Sequence, residues 1–248
     1  GTEANPFATI QAGIDVASDG DTVLVAAGTY TENITWPATN GIKLIGEDRE
    51  TTIIDGNQSG SVVTFNGATN DGYIALNAKI IGLTIQNGSN SLGGGISCTN
   101  NAYATLINVT LINNTATAGS GIYAFSGGNL TLENTLVSEN EATNSTIYLD
   151  TGSNISITNS TLTDNNGIGC IRLAMYNCSL VMENSILWNE TNHEIWSSGN
   201  ADVTYSLVKG GSGGIGNIDA DPFFIDATNG DYRLSDYSPC IGAGTSTG

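Results

Sequence analysis

The chain has one histidine, His193, and it stands next to Glu194 in ETNHEIW, with Arg172 one repeat earlier in CIRLA. A cation on an outward strand position beside an imidazole and a carboxylate is where proton-transfer chemistry would be sought first. If the chain is an enzyme, its candidate catalytic residues are Arg172, His193 and Glu194. The simpler role for Arg172 is to stack between the aromatic residues that align with it and to pair with Glu194.

Those aromatic residues define a second possibility. Aligned repeats place Tyr123, Tyr148, Arg172 and Trp196 at one outward position, with Trp188 nearby. Aromatic faces pack on the faces of sugar rings, and strands about 4.8 Å apart space successive residues comparably with the units of a sugar chain. These five residues are therefore the candidate ligand-binding set. The other cations are few: Lys43, Arg49, Lys79, Lys209 and Arg233 complete the set of six.

Acidic residues number 24, giving a formal net charge of -18. Such a field repels phosphate backbones, which argues against a nucleic-acid partner, and it repels polyanionic sugars unless divalent cations bridge the two surfaces. Calcium is the candidate cofactor on that ground, with Asp219, Asp221, Asp226 and Asp231 as its candidate ligands, although they match neither an EF-hand nor a nonapeptide calcium repeat. Cys98, Cys170, Cys178 and Cys240 lack the spacing of a zinc site. They leave two readings open, one or two disulfides or buried thiols. No apolar run is long enough to insert in a membrane.

The elements that would position these residues come from an internal repeat. IIGLTIQN (80–87), LINVTLINN (106–114), LENTLVSEN (132–140), ITNSTLTDN (157–165), MENSILWNE (182–190) and VTYSLVKGG (203–211) align, and Asn108, Asn134, Asn159 and Asn184 recur at intervals of 26, 25 and 25 residues. A period near 25 with short alternating strands predicts a solenoid whose coils share one core. The recurring asparagines are read as a structural ladder at a tight bend, each amide bonded to its equivalent one coil away. Alternation in GISC, GIYA, TIYL, CIRL and EIWS sends Ile96, Ile122, Ile147, Ile171 and Ile195 inward; Leu106, Leu132, Ile157 and Met182 join them from another strand.

Abundant glycine and scarce helix formers agree with an all-β chain, and no linker divides it. The expected organisation is one domain over 1–248: an N-terminal cap and first strands in 1–35, coils in 36–211 and an irregular C-terminal cap in 212–248. Within the first segment, Asn5 and Pro6 read as helix N-cap and first helical residue, with Phe7, Ile10, Ile14 and Ala17 on the buried face.

FATIQAGIDVASDGDTVLVAAGTYTENI, IKLIGEDRETTIIDG and the asparagine-bearing coils resemble the pectate-lyase-like superfamily. The resemblance implies a single-stranded right-handed parallel β-helix and an extracellular product, secreted or attached to the cell surface. It does not imply a reaction. The Asn-Thr-Asp, Gly-His-Gly and Arg-Ile-Lys blocks of the superfamily's polygalacturonate hydrolases are absent. Polysaccharide binding or surface adhesion without catalysis is the first expectation. A lyase or epimerase on a uronic-acid polymer is the second, and a fibre or sheath subunit that associates end to end is the third.

Overall fold

The computed structural model describes residues 1–2, 4–69, 72–74 and 76–245. Its strands stack almost entirely in parallel, each pairing with its equivalent one coil away. Sheet I runs through eight strands, from Thr22–Val25 to Asn200–Thr204. Sheet II also has eight, from Gly28–Thr31 to Leu207–Val208, and sheet III has seven, from Ile34–Thr35 to His193–Ser197. The chain visits I, II and III in turn, so each of the first seven coils contributes one strand to each and the last contributes to I and II only.

The predicted inward columns form the core. Ile96, Ile122, Ile147 and Ile171 are fully buried in register along sheet III, with Ile195 partly buried at the end. Leu106, Leu132, Ile157 and Met182 are fully buried in register along sheet I. No coil has a second face to cover its own apolar side chains, so burial depends on neighbours above and below.

Two corners set the shape of a coil, and here the assignment of the asparagine ladder has to be corrected. Asn108, Asn134, Asn159 and Asn184 turn the chain from sheet I to sheet II with φ of 54°, 51°, 52° and 51°. Their job is conformational, since asparagine tolerates the left-handed region; Gly82 (φ 65°) and Tyr205 (φ 48°) do the same in flanking coils. Asn108, Asn134 and Asn159 are exposed, and no hydrogen bond joins one of these four residues to the next among the described residues.

The hydrogen-bonded ladder lies at the following corner, in Asn114, Asn140, Asn165 and Asn189, all buried. Each Nδ2 donates to the Oδ1 of the next, at 3.0, 3.0 and 3.1 Å. Each Oδ1 also accepts the backbone N–H of the preceding asparagine, at 3.0, 3.2 and 2.9 Å. The second amide proton goes back to a sheet II carbonyl one coil earlier, that of Ile85, Leu111, Val137 or Leu162. Gly88 precedes the series, donating its N–H to Asn114 at 2.8 Å; a Cβ there would meet the carbonyl oxygen of Gly94 at 2.0 Å. A parallel ladder of hydroxyls follows the first corner, where the N–H groups of Thr135, Ser160 and Ser185 donate to Ser160, Ser185 and Ser206.

The ends differ from expectation as well. Helix α1 spans Ile10–Asp15 and starts after Thr9, whose Oγ1 accepts from Ala12 N, while the Glu32 carboxylate accepts from the N–H groups of Ile10 and Gln11. Asn5 is engaged in a two-bond bridge with Thr2, and Phe7 is exposed, so the helix covers the first coil with Ile10, Gly13 and Ile14, and Ala17 just beyond it packs against the same core. At the other end the last coil is closed by residues 212–218, through Tyr205 N to Ile215 O and a pair of bonds between Val208, Ile218 and Ser206. Beyond residue 218 the chain forms a strap along the side of the solenoid. Phe224–Asp226 and Asp231–Leu234 form an antiparallel hairpin, the Tyr232 hydroxyl donates to Asp164 at 2.9 Å, and Thr245 bonds Asn184. All four cysteines are free thiols, and Cys98, Cys170 and Cys178 are buried.

The two asparagine sets should respond differently to substitution. Asn165→Ala leaves buried N–H and carbonyl groups without partners, so urea denaturation should show a loss of about 2–4 kcal/mol, since several such groups are orphaned together. Asn159→Gly, which keeps the left-handed corner, should change stability by less than about 0.5 kcal/mol.

Candidate functional site

Sheet III carries the aromatic column. The register stacks Tyr123 on Tyr148, Tyr148 on Arg172 and Arg172 on Trp196. The two tyrosine rings are stacked with centroids 5.8 Å apart, and the Arg172 guanidinium lies 5.6 Å from the Tyr148 centroid and 3.6 Å from that of Trp196. His193 tilts against Trp196 at 6.0 Å. Stacking along the solenoid axis turns the ring faces toward one another, and Tyr123 is only 8 % exposed. Burial, reinforced by Asp150 and Tyr148, raises the Tyr123 hydroxyl above its ordinary pKa. A sugar ring needs an open aromatic face, and of the three aromatic rings of this column only Trp196 is exposed. Arg172 Nε and Nη1 are themselves buried without hydrogen-bond partners, covered by the stack.

The proposed proton-transfer group does not assemble. Glu194 turns into the protein, where it accepts from the Asn189 N–H and from Asn189 Nδ2. It is the acceptor that terminates the asparagine ladder. Among the described residues the ion pairs are Lys209 with Glu190 and Arg233 with Asp231, so the expected Arg172–Glu194 pair is not formed. Trp188 belongs to sheet II, under Lys209 at 5.2 Å, and lines a cleft of 310 Å³ beside Phe223 and Phe224 of the strap. It does not join the column.

The four acids proposed for calcium are each used locally. Asp219 accepts from Gly210 N, Asp221 from Phe223 N and Asp226 from Asn229 Nδ2, while Asp231 is held by Arg233 and lies below its ordinary pKa for that reason. Among the described residues no three His, Cys, Asp or Glu side chains converge as a metal site.

A site that the sequence reading passed over lies on the outer face of sheet I. Two rows of side chains project there, one residue apart from each other across the inward-pointing Ala104, Leu130 and Ile155. One row is Tyr103, Asn129, Asn154 and Ser179, and the other is Lys79, Thr105, Thr131, Ser156 and Val181. Between them runs an open groove of 350 Å³. In the first row Asn154 Nδ2 donates to Asn129 Oδ1 at 2.8 Å and Ser179 Oγ donates to Asn154 Oδ1, which fixes the amides as a rigid rim. In the second row the hydroxyls of Thr105, Thr131 and Ser156 have no protein partner among the described residues. Tyr103 is 45 % exposed at the head of the first row.

The ionisable side chains of the groove are Lys79 and Tyr103; no carboxylate, imidazole, thiol or guanidinium lines it. Its chemistry is that of hydrogen bonding to a polar, uncharged chain. Periodic small polar residues were the available signal, visible as NLTL and NISI in the aligned repeats. They carry no catalytic pattern, so a search for reactive residues misses them.

The family described as "Right handed beta helix region" matches residues 94–216. The pectin methylesterase PemA from Erwinia chrysanthemi is a structural neighbour at 14 % identity with a TM-score of 0.57, covering 84 % of this chain and 76 % of its own. The chain is a right-handed parallel β-helix. Similar values hold for a pectin methylesterase in complex with hexasaccharide VII (15 % identity, TM-score 0.56, 82 % and 75 % coverage) and for one from carrot (11 % identity, TM-score 0.52, 89 % and 76 %). At these identities the likeness of the β-helix is one of fold. Comparison with curated protein sequences returns no match.

One titratable group of this β-helix is strongly perturbed. Burial pushes Glu194 up from its ordinary 4.5 to about 7, against the two hydrogen bonds from Asn189 and the pull of Lys209, with Glu190 raising it further. Cys170, also buried, faces the same carboxyl. Between pH about 4.5 and about 7 the folded state holds a proton that the unfolded chain has released, so stability falls as pH rises through that window. In Glu194→Gln this part of the pH dependence should vanish. Parallel thermal-melt profiles of the two proteins from pH 4 to 8 test this.

Proposed function

We propose that this β-helix is a non-catalytic extracellular module that binds polysaccharide along the outer groove of sheet I. The observation that carries the proposal is the pair of rows: a rim of interlocked amides opposite hydroxyls that lack protein partners. Three such hydroxyls on consecutive strands, about 4.8 Å apart, offer one contact per step to a linear sugar chain. Tyr103 adds an exposed aromatic surface at the head. The scaffold holds these groups on strands, so little side-chain freedom is lost on binding.

Catalysis finds less support. Arg172 is enclosed in a stack and Glu194 turns inward to end an internal ladder, so only His193 of the three is exposed. End-to-end assembly is disfavoured too, because α1 and residues 212–218 lie over the terminal coils and a charge of -18 repels a second copy. The relation to folds that include an enzyme complexed with a hexasaccharide agrees with a glycan partner and an extracellular setting.

A glycan array followed by calorimetry on the positive ligand tests the proposal. Tyr103→Ala and Thr131→Val should each weaken binding by about tenfold, the equivalent of one contact of about 1.4 kcal/mol. Trp196→Ala should leave affinity unchanged. Binding to no glycan, or loss on Trp196→Ala with none on Tyr103→Ala, would discard the groove as the site.

A further inference from the structure

We propose that the cleft between the strap and the end of sheet II is a second binding site, and that it takes an alkylammonium group, the basic side chain of a partner peptide. It lies on a different sheet from the glycan groove and does not depend on that reading.

Sheet II and the turns that follow its strands supply Asp164, Trp188 and Glu190 to the cleft, and the strap supplies Asp221, Phe223 and Phe224. These are three aromatic rings and three acids, and no lysine, arginine or histidine lines the cleft. Each acid is fixed through one oxygen. Asp164 Oδ2 accepts from the Tyr232 hydroxyl at 2.9 Å, Asp221 Oδ1 accepts from Phe223 N at 2.8 Å, and Glu190 Oε1 accepts from Lys209. The second oxygen of each carboxylate makes no hydrogen bond among the described residues, so three acceptors remain for a donor from outside. The rings are held as well. Phe224 packs edge-on to Tyr232 with centroids 5.5 Å apart, and buried Pro222 anchors the turn that presents Phe223, which is 50 % exposed.

Lys209 shows which ligand this chemistry suits. It follows the last strand of sheet II, and its ammonium lies 5.2 Å from the Trp188 centroid and pairs with Glu190. An unbranched alkylammonium therefore already rests on one ring and one acid of the cleft, although Lys209 is outside the lining. Asp164, Asp221, Phe223 and Phe224 are left without a cation, since the other ion pair among the described residues is Arg233 with Asp231. A cation entering the cleft gains ring faces and carboxylates together. A neutral sugar gains only the rings, and an anion is repelled by the three acids and by the charge of -18. A volume of 310 Å³ is at the small end of ligand pockets and suits one side chain.

The test uses the full chain, acetyl-Gly-Lys-Gly-amide, the same peptide with norleucine in place of lysine, and glucosamine as the amine of a sugar. Titrations are followed by the NMR resonances of the Trp188 indole and the Phe224 amide. The lysine peptide should shift both and bind about tenfold more tightly than the norleucine peptide, with a difference that shrinks as salt is raised. Trp188→Leu, and Asp221→Asn, which keeps the acceptor for Phe223 N, should each weaken binding by about fivefold, the worth of one partly exposed cation–π or charge contact. Tyr103→Ala and Asp202→Asn, both on sheet I, should bind the peptide as the parent does. Thermal melting checks folding, and if Trp188→Leu melts early, Asp221→Asn and Phe223→Leu decide. Equal binding of the two peptides, parent-like binding by the cleft variants, or an equal loss in Asp202→Asn, which would reduce the effect to net charge, overturns the inference. Tighter binding of glucosamine than of the lysine peptide overturns the assignment to a side chain.

Discussion

The buried amide ladder of Asn114, Asn140, Asn165 and Asn189 is the interaction on which the stacking register depends. Backbone pairing alone tolerates slippage, because a parallel strand offers the same donors and acceptors at every step. The ladder removes that freedom. Each asparagine meets four demands at once, from its own neighbours and from a sheet II carbonyl one coil back, and a shift by a single residue would bury all of them unsatisfied. The hydroxyl ladder at the preceding corner repeats the constraint with a weaker group. Between them the two corners bring equivalent side chains of successive coils into columns, and every surface feature of the protein inherits that alignment.

Much of this was legible before any coordinates. A period near 25, recurring isoleucines and the alternation within strands were enough for the fold, the sheet III register and the core columns. The ladder was placed at the wrong asparagine for a physical reason. Three repeats hold two asparagines six residues apart, Asn108 and Asn114, Asn134 and Asn140, Asn159 and Asn165, and a fourth holds Asn184 and Asn189 five apart, so both series recur at the coil period. Periodicity cannot separate an asparagine needed for its backbone from one needed for its amide. Substitution pattern can: Gly82 and Tyr205 stand in for the corner asparagines, and a glycine or tyrosine cannot continue an amide ladder. Glu194 as the final acceptor was beyond reach, since it enters from a strand later in the same coil.

The aromatic column illustrates a second limit. Alignment correctly brought Tyr123, Tyr148, Arg172 and Trp196 into one line, and strand spacing comparable with a sugar chain made them attractive as a binding stripe. The same spacing is what closes the stripe. Large flat groups on strands about 4.8 Å apart have no room to lie flat on the surface one after another, so they stack edge-outward and satisfy each other. Small side chains on the same spacing behave in the opposite way. Threonine and serine hydroxyls in neighbouring strands leave room for a partner from outside, as in the open groove of sheet I.

That contrast also bears on how binding strength can be built on such a scaffold. A column of n equivalent residues gives n equivalent contacts, each modest, and a rigid solenoid adds them with little further loss of conformational freedom. Uniform rows, however, cannot orient a ligand, because every shift by one coil yields the same contacts. Direction requires that the row be broken at its ends. On sheet I the breaks are charged and of opposite sign, Lys43 and Lys79 on one side and Asp202 on the other.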